Sequence, residues 1–92
     1  MRTHEPTKNL LNQMIAEIPE EVKMQCDMSD TIAGRIDSIL KERGMTQKQF
    51  AQLVHHSQGE VSRWLSGTHN FTLSTLAQIS VALGVNVLTF PS

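Results

Sequence analysis

The apolar positions of the chain recur at helical spacing in several stretches, and short polar residues punctuate them. From Pro19 onward, Val22, Ile32, Ile36, Ile39 and Leu40 fall largely at three- and four-residue steps, and the pattern ends at "KERG". Pro19 suits a first helical position, and Glu20 and Glu21 suit the positive N-terminal pole of a helix. Lys41 and Arg43 suit the negative pole, and Gly44 supplies a stop. Ser29 or Asp30 would serve equally well as the cap of a shorter helix.

Two capped segments come next. In "TQKQFAQLV", Thr46 and Gln49 have the spacing of a capping box, and Phe50, Ala51, Leu53 and Val54 form the apolar face. Ser57 and Glu60 repeat the device, and the inward residues of that helix, expected over 58–66, are Val61, Trp64 and Leu65. The connector lies at about His55–Ser57, so two short helices are joined by a tight turn. "TLSTLAQISVALG" predicts one more helix, with Leu73, Leu76, Ile79 and Leu83 inward and Gly84 as terminator. In the tail, Val85, Val87, Thr89 and Phe90 favour an extended segment ended by Pro91. At the other end, Leu10, Leu11, Met14, Ile15 and Ile18 form an amphipathic stripe of two to three helical turns. A helix that short is marginal alone and needs something to lie on.

Composition narrows the class. With 39% hydrophobic and 18% charged residues, 92 residues suffice for one small domain, or for a smaller one with an appendage. Aromatic residues number four, Phe50, Trp64, Phe71 and Phe90, so the core is built of aliphatic residues that suit helices. Cys26 is the only cysteine, which excludes an internal disulfide and makes a reducing, cytoplasmic setting the expectation. No apolar run approaches the roughly 18 residues of a membrane span. The N-terminus, broken by Pro6, does not resemble a signal peptide. His55 and His56 are adjacent and diverge on a helix, so no metal site is expected. Neither a catalytic pair nor a phosphate-binding glycine loop is present, so the reading is of a non-enzyme without cofactors.

Two short capped helices supported by longer ones before and after make a helix-turn-helix. Ala51 must be small where the second helix crosses it, while Val54, Val61 and Trp64 fill the angle between the pair. That leaves the outward face of residues 58–63 free to enter a major groove. The run "MTQKQFAQLV…SQGEVSRWLSGTHNFTLSTLAQISVALGV" closely resembles the Xre/Cro, or lambda-repressor-like, DNA-binding domains over roughly residues 31–86. Within that family, "SRWLSGTHNFTLSTLAQISVALG" resembles bacterial regulators that include HigA-type antitoxins.

The resemblance implies an all-α, five-helix lambda-repressor-like domain, to which the residue pattern adds an N-terminal helical extension and a short extended C-terminal tail. The expected division is an extension over residues 1–28, for dimerisation or partner binding, and a helix-turn-helix domain over 29–92. The resemblance also implies that Gln47 donates to a phosphate, and that Gln58, Gly59, Ser62 and Arg63 face base edges or adjacent phosphates. Thr68, His69 and Asn70 would contact the backbone after the reading helix. The family usually has Gly in the turn where this chain has His55, which requires a left-handed conformation from a residue with a side chain. Gly59 inside the reading helix lowers its helicity by roughly 1 kcal/mol.

Charge sets a condition on this reading. Residues 1–44 hold six Lys/Arg against eight Asp/Glu, whereas residues 45–92 hold Lys48 and Arg63 against Glu60. Phosphate binding depends on local charge, and one copy offers only Lys48, Arg63 and His69. Neutral donors from Gln47, Ser57 and backbone amides must supply much of it. A dimer placing two reading helices about 34 Å apart repairs the deficit. The expected function is thus a sequence-specific transcriptional regulator, a repressor, binding double-stranded DNA as a homodimer. The alternative is an antitoxin that neutralises a toxin protein through its N-terminal region and autoregulates its operon. Glu17, Glu20 and Glu21 beside the N-terminal stripe suit a basic partner.

Overall fold

Helices α1 (Glu20–Glu42), α2 (Gln47–Val54), α3 (Gln58–Leu65) and α4 (Leu73–Leu83) make up most of residues 17–89, the part of the chain that the computed structural model describes. These residues contain no strand, so their fold is all-α. Helices among them number four. Leu10, Leu11, Met14 and Ile15, expected to supply a further N-terminal helix, lie outside the described residues, as does Phe90.

α1 begins just after Pro19, which is the cap residue rather than the first helical one and makes no side-chain cap bond. Glu20 and Glu21 occupy its first turn and Lys41 its last, so charge complements the helix dipole at both ends. The i,i+4 pair Asp37–Lys41, at 2.9 Å, adds local support. The helix runs without interruption past Ser29 and Asp30 and across the 28/29 division, with Ser29 buried inside it. α2 and α3 each start with a complete capping box, Thr46 with Gln49 and Ser57 with Glu60. α4 is capped by Thr72, whose hydroxyl accepts from the Thr75 amide at 3.1 Å, and it ends at left-handed Gly84.

The core lies where the four helices meet. Ile36, Ile39 and Leu40 come from α1, Phe50, Ala51 and Val54 from α2, Val61 and Trp64 from α3, and Leu76, Ile79 and Leu83 from α4. Ala51, nearly inaccessible, lets α3 approach α2 closely. Each large side chain buried here contributes about 1.5–3 kcal/mol relative to exposure.

Three residues expected to point inward do not. Val22, Leu53 and Leu73 are exposed. Val22 sits in the first turns of α1, where no residue before Ser29 is buried, so there is no core for it to meet. Leu73 belongs to a helix with apolar residues on nearly every side, and periodicity there selects no unique inward face. The core takes Leu76, Ile79 and Leu83 and leaves Leu73 outside.

The tail is also different from the extended segment expected. The Leu88 amide donates to Asn86 Oδ1 at 2.9 Å and the Thr89 amide to the Asn86 carbonyl at 3.2 Å, closing a turn on Asn86. Val87 is fully buried in the core, and its amide donates to Ser80 Oγ at 3.1 Å. A side-chain acceptor at Asn86 and a pocket for Val87 outcompete the intrinsic strand preference of the valines. Among the described residues no helix is long and apolar enough to cross a membrane.

Candidate nucleic-acid interface

The turn between α2 and α3 sets the geometry of the site. His55 adopts φ 60°, ψ 41°, the left-handed conformation, and is the only described non-glycine residue with positive φ. The His56 amide then donates back to the Ala51 carbonyl at 3.0 Å, which stops α2 and redirects the chain. One residue later the Ser57 box opens α3. The Glu60 amide donates to Ser57 Oγ at 3.1 Å, and Glu60 Oε1 accepts from both the Ser57 amide and its hydroxyl at 3.2 Å.

α3 divides into two faces. Val61 and Trp64 are buried, with the Trp64 ring edge-on to Phe50 at 6.2 Å between centroids. Gln58, Gly59, Ser62 and Arg63 are all exposed on the other side, and the side chains of Gln58, Ser62 and Arg63 make no hydrogen bond within the described residues. An added Cβ at Gly59 would meet only Ser57 Oγ, at 3.9 Å, so glycine there is not required by packing. Gln47 and Lys48, the first two residues of α2, are also exposed. The amides of Gln47, Lys48, Gln58 and Gly59 precede the first intrahelical hydrogen bonds and are donors available to an anion.

Ser57 is placed differently from the other candidate phosphate donors. Its hydroxyl and amide are both engaged by Glu60, so it acts first as the cap that orients α3. After α3, Ser66 organises the loop, donating to the Arg63 carbonyl at 2.6 Å and pairing with the Thr68 hydroxyl at 3.0 Å. Thr68 and Asn70 are exposed. His69 is half-buried, its ring edge-on to Phe71 at 4.9 Å, which fixes the ring plane. Gly67, at φ 85°, is buried against α1; a Cβ there would lie 2.8 Å from Asp30 Oδ1. The loop thus rests on the helix that supports the motif.

One cluster escaped the sequence reading. His56 Nε2 lies 2.9 Å from Gln78 Oε1 on α4, and its Nδ1 lies 3.1 Å from Glu60 Oε2 on α3. The ring also stands edge-on to Trp64 at 4.8 Å. The bond to Gln78 and then that to Glu60 raise the His56 pKa above its usual value, outweighing partial burial. Glu60 is held below the usual carboxylate range, first by the Ser57 amide and then by His56. The i,i+4 spacing of His56 and Glu60 was visible in the chain; Gln78 was not, because only the packing of α4 brings it there. The one acid of this region is therefore paired with the cap and with His56, and is neutralised when His56 is protonated. Among the described residues no group of three or more His, Cys, Asp or Glu is placed to hold a metal.

These elements present a polar helix face that carries Arg63, a cation at Lys48 beside it and ordered backbone donors on one scaffold. That arrangement can contact phosphates on either side while side chains on α3 reach base edges. The model of a helix-turn-helix family matches residues 36–90, which include the end of α1 and all of α2, α3 and α4. No curated protein and no solved structure matches the chain significantly.

Proposed function

The chain belongs to the Xre/lambda-repressor-like helix-turn-helix family of DNA-binding regulators, and on that premise we propose that it is a sequence-specific transcriptional repressor that reads the major groove with α3 as a homodimer. The observation that carries this reading is the two-faced α3: Val61 and Trp64 hold it to the core while Gln58, Gly59, Ser62 and Arg63 stand free. Gln suits adenine, Arg suits guanine, and Ser suits either. Gln47, Lys48, Thr68, His69 and Asn70 flank α3 in the motif and would fix its register on phosphates. Few cations per copy make the second copy a requirement for useful affinity. The test is selection of bound duplexes from a random pool, then a reporter driven from the enriched site. An enriched two-fold symmetric motif that silences the reporter is expected. No enrichment at low salt would reject the reading, and activation in place of silencing would reject the repressor role.

A second reading is an antitoxin whose N-terminal region captures a basic toxin protein. It is favoured by the first turns of α1, where Val22, Met24 and Met28 are exposed beside Glu20, Glu21 and Asp27. Such a helix, apolar with an acidic flank, suits a groove rimmed by cations. In this reading residues 1–28 are the partner-binding extension and 29–92 the DNA-binding domain, although one helix is common to both. Met24→Glu together with Met28→Glu, at exposed positions, should abolish capture of a co-expressed partner while operator affinity persists. Loss of operator affinity together with capture would instead give the segment a structural role.

A further inference from the structure

The outer face of α4 is the most exposed apolar surface among the described residues. Val81 is 82% and Leu73 77% accessible, higher than any other large hydrophobic described. The relief of this face is specific. Ala77 and Val81 stand on a ridge with an apolar depression on each side. One depression, between α4 and α2, is lined by Leu53, Val54 and His55. The other, between α4 and the tail, is lined by Leu73, Val85 and Leu88. A ridge between two grooves is self-complementary: turned through a half-rotation, the ridge of one copy faces a groove of another.

Charge selects the occupant. From Trp64 to the end of the chain there is no Lys, Arg, Asp or Glu. A two-fold interface brings residues near the axis against their own copies, where any charge would meet its like. An uncharged face has no such penalty, and it also lacks the electrostatic complementarity by which an unlike protein is steered and selected. The acidic first turns of α1 are the opposite case, since self-pairing there would juxtapose carboxylates. We infer that a second copy of this chain docks on the α4 face, with Ala77 and Val81 nearest the two-fold axis and Leu53, Leu73 and Leu88 around them. The inference rests on the homodimer proposed above and assigns its interface.

Sedimentation of the full chain tests it through Val81→Glu and Leu73→Gln, both at exposed positions, with Val22→Glu, exposed on α1, as the comparison. The wild type and Val22→Glu should be dimers at micromolar concentration. Both α4 variants should dissociate at least tenfold more readily and keep helical circular dichroism. A monomeric wild type, or a folded Val81→Glu protein that dimerises as tightly as wild type, overturns the inference. If Val81→Glu loses its helical signal, Leu73→Gln decides alone by the same criterion. Binding to a single half-site separates this from the DNA reading. Monomeric variants should retain half-site binding, whereas a wild-type dimer that selects no DNA rejects the DNA reading and leaves the interface standing.

Discussion

His56 and Gln78, 22 residues apart in sequence, meet at 2.9 Å and tie the turn of the motif to α4. With Glu60 on the other ring nitrogen, both sides of the imidazole face oxygen acceptors, so the doubly protonated ring satisfies both. The folded-state pKa of His56 is raised above its ordinary value of 6.5. Its contribution to stability is therefore fully present below pH 6.5 and is lost as pH rises through the raised folded value. Thermal unfolding followed from pH 6 to above that value should show the wild type losing stability. His56→Phe should be less stable at the acidic end and show a flatter profile. An unchanged slope in the variant would remove His56 as its source.

Position 55 should tolerate a gain. A side chain in the left-handed region costs about 1–2 kcal/mol, which glycine avoids at the expense of extra freedom when unfolded. His55 is exposed, so little packing is lost with it. His55→Gly should raise stability by about 0.5–1 kcal/mol in urea denaturation. A loss instead would mean that the imidazole makes a favourable contribution exceeding the strain.

Trp64 and Arg63, adjacent in the chain, should separate folding from recognition. Trp64→Ala removes a buried ring and should cost about 3–5 kcal/mol, a large part of the stability of a domain this size. Arg63→Ala should leave the unfolding midpoint nearly unchanged yet weaken DNA binding by about 1–3 kcal/mol and relax preference at one base. Gln47→Ala should weaken all sequences about equally. Competition titrations with single-base variants of the selected site measure both effects.

Lys48 and Arg63 also limit the salt response. Two cations per copy facing the duplex in the proposed reading should give a slope of log affinity against log salt of roughly −2 per protomer. A much steeper slope would place cations from α1 on the duplex.

Gly67 should resist substitution. Alanine there combines left-handed strain with a Cβ 2.8 Å from Asp30 Oδ1, a side-chain atom that can move. Gly67→Ala should destabilise by about 1–2 kcal/mol, mostly from the backbone. If Asp30→Ala fully rescues it, the steric part dominates instead.

The local devices of the fold were legible in the sequence because they act over three or four residues. Thr46 with Gln49, Ser57 with Glu60, and the small Ala51 are found where their spacing places them. The left-handed turn at His55 was legible only by comparison with what a glycine would do there. The outward orientation of Leu73 was not, since α4 is apolar on nearly every side and only its neighbours decide which side is covered. Nor was the Asn86 turn, where one side-chain oxygen overrides a run of strand-favouring residues. Of the site, the exposed face of α3 came from the position of Val61 and Trp64, whereas the engagement of Ser57 by Glu60 limits a hydroxyl that composition alone made available.

The division of labour along α3 has a consequence for how binding preference can change over time. Ser57, Glu60, Val61 and Trp64 hold the helix in place through caps and packing, so alterations there are felt by the whole domain. Gln58, Gly59, Ser62 and Arg63 have no side-chain bond to the rest of the described structure. In the proposed reading those four positions form an alphabet that mutation can rewrite without renegotiating the scaffold. Duplicated copies of such a gene could drift to new operators by changes at these sites alone, each intermediate still folded. A library randomised at these four codons should accordingly yield mostly folded proteins, with the differences among them confined to the DNA they choose.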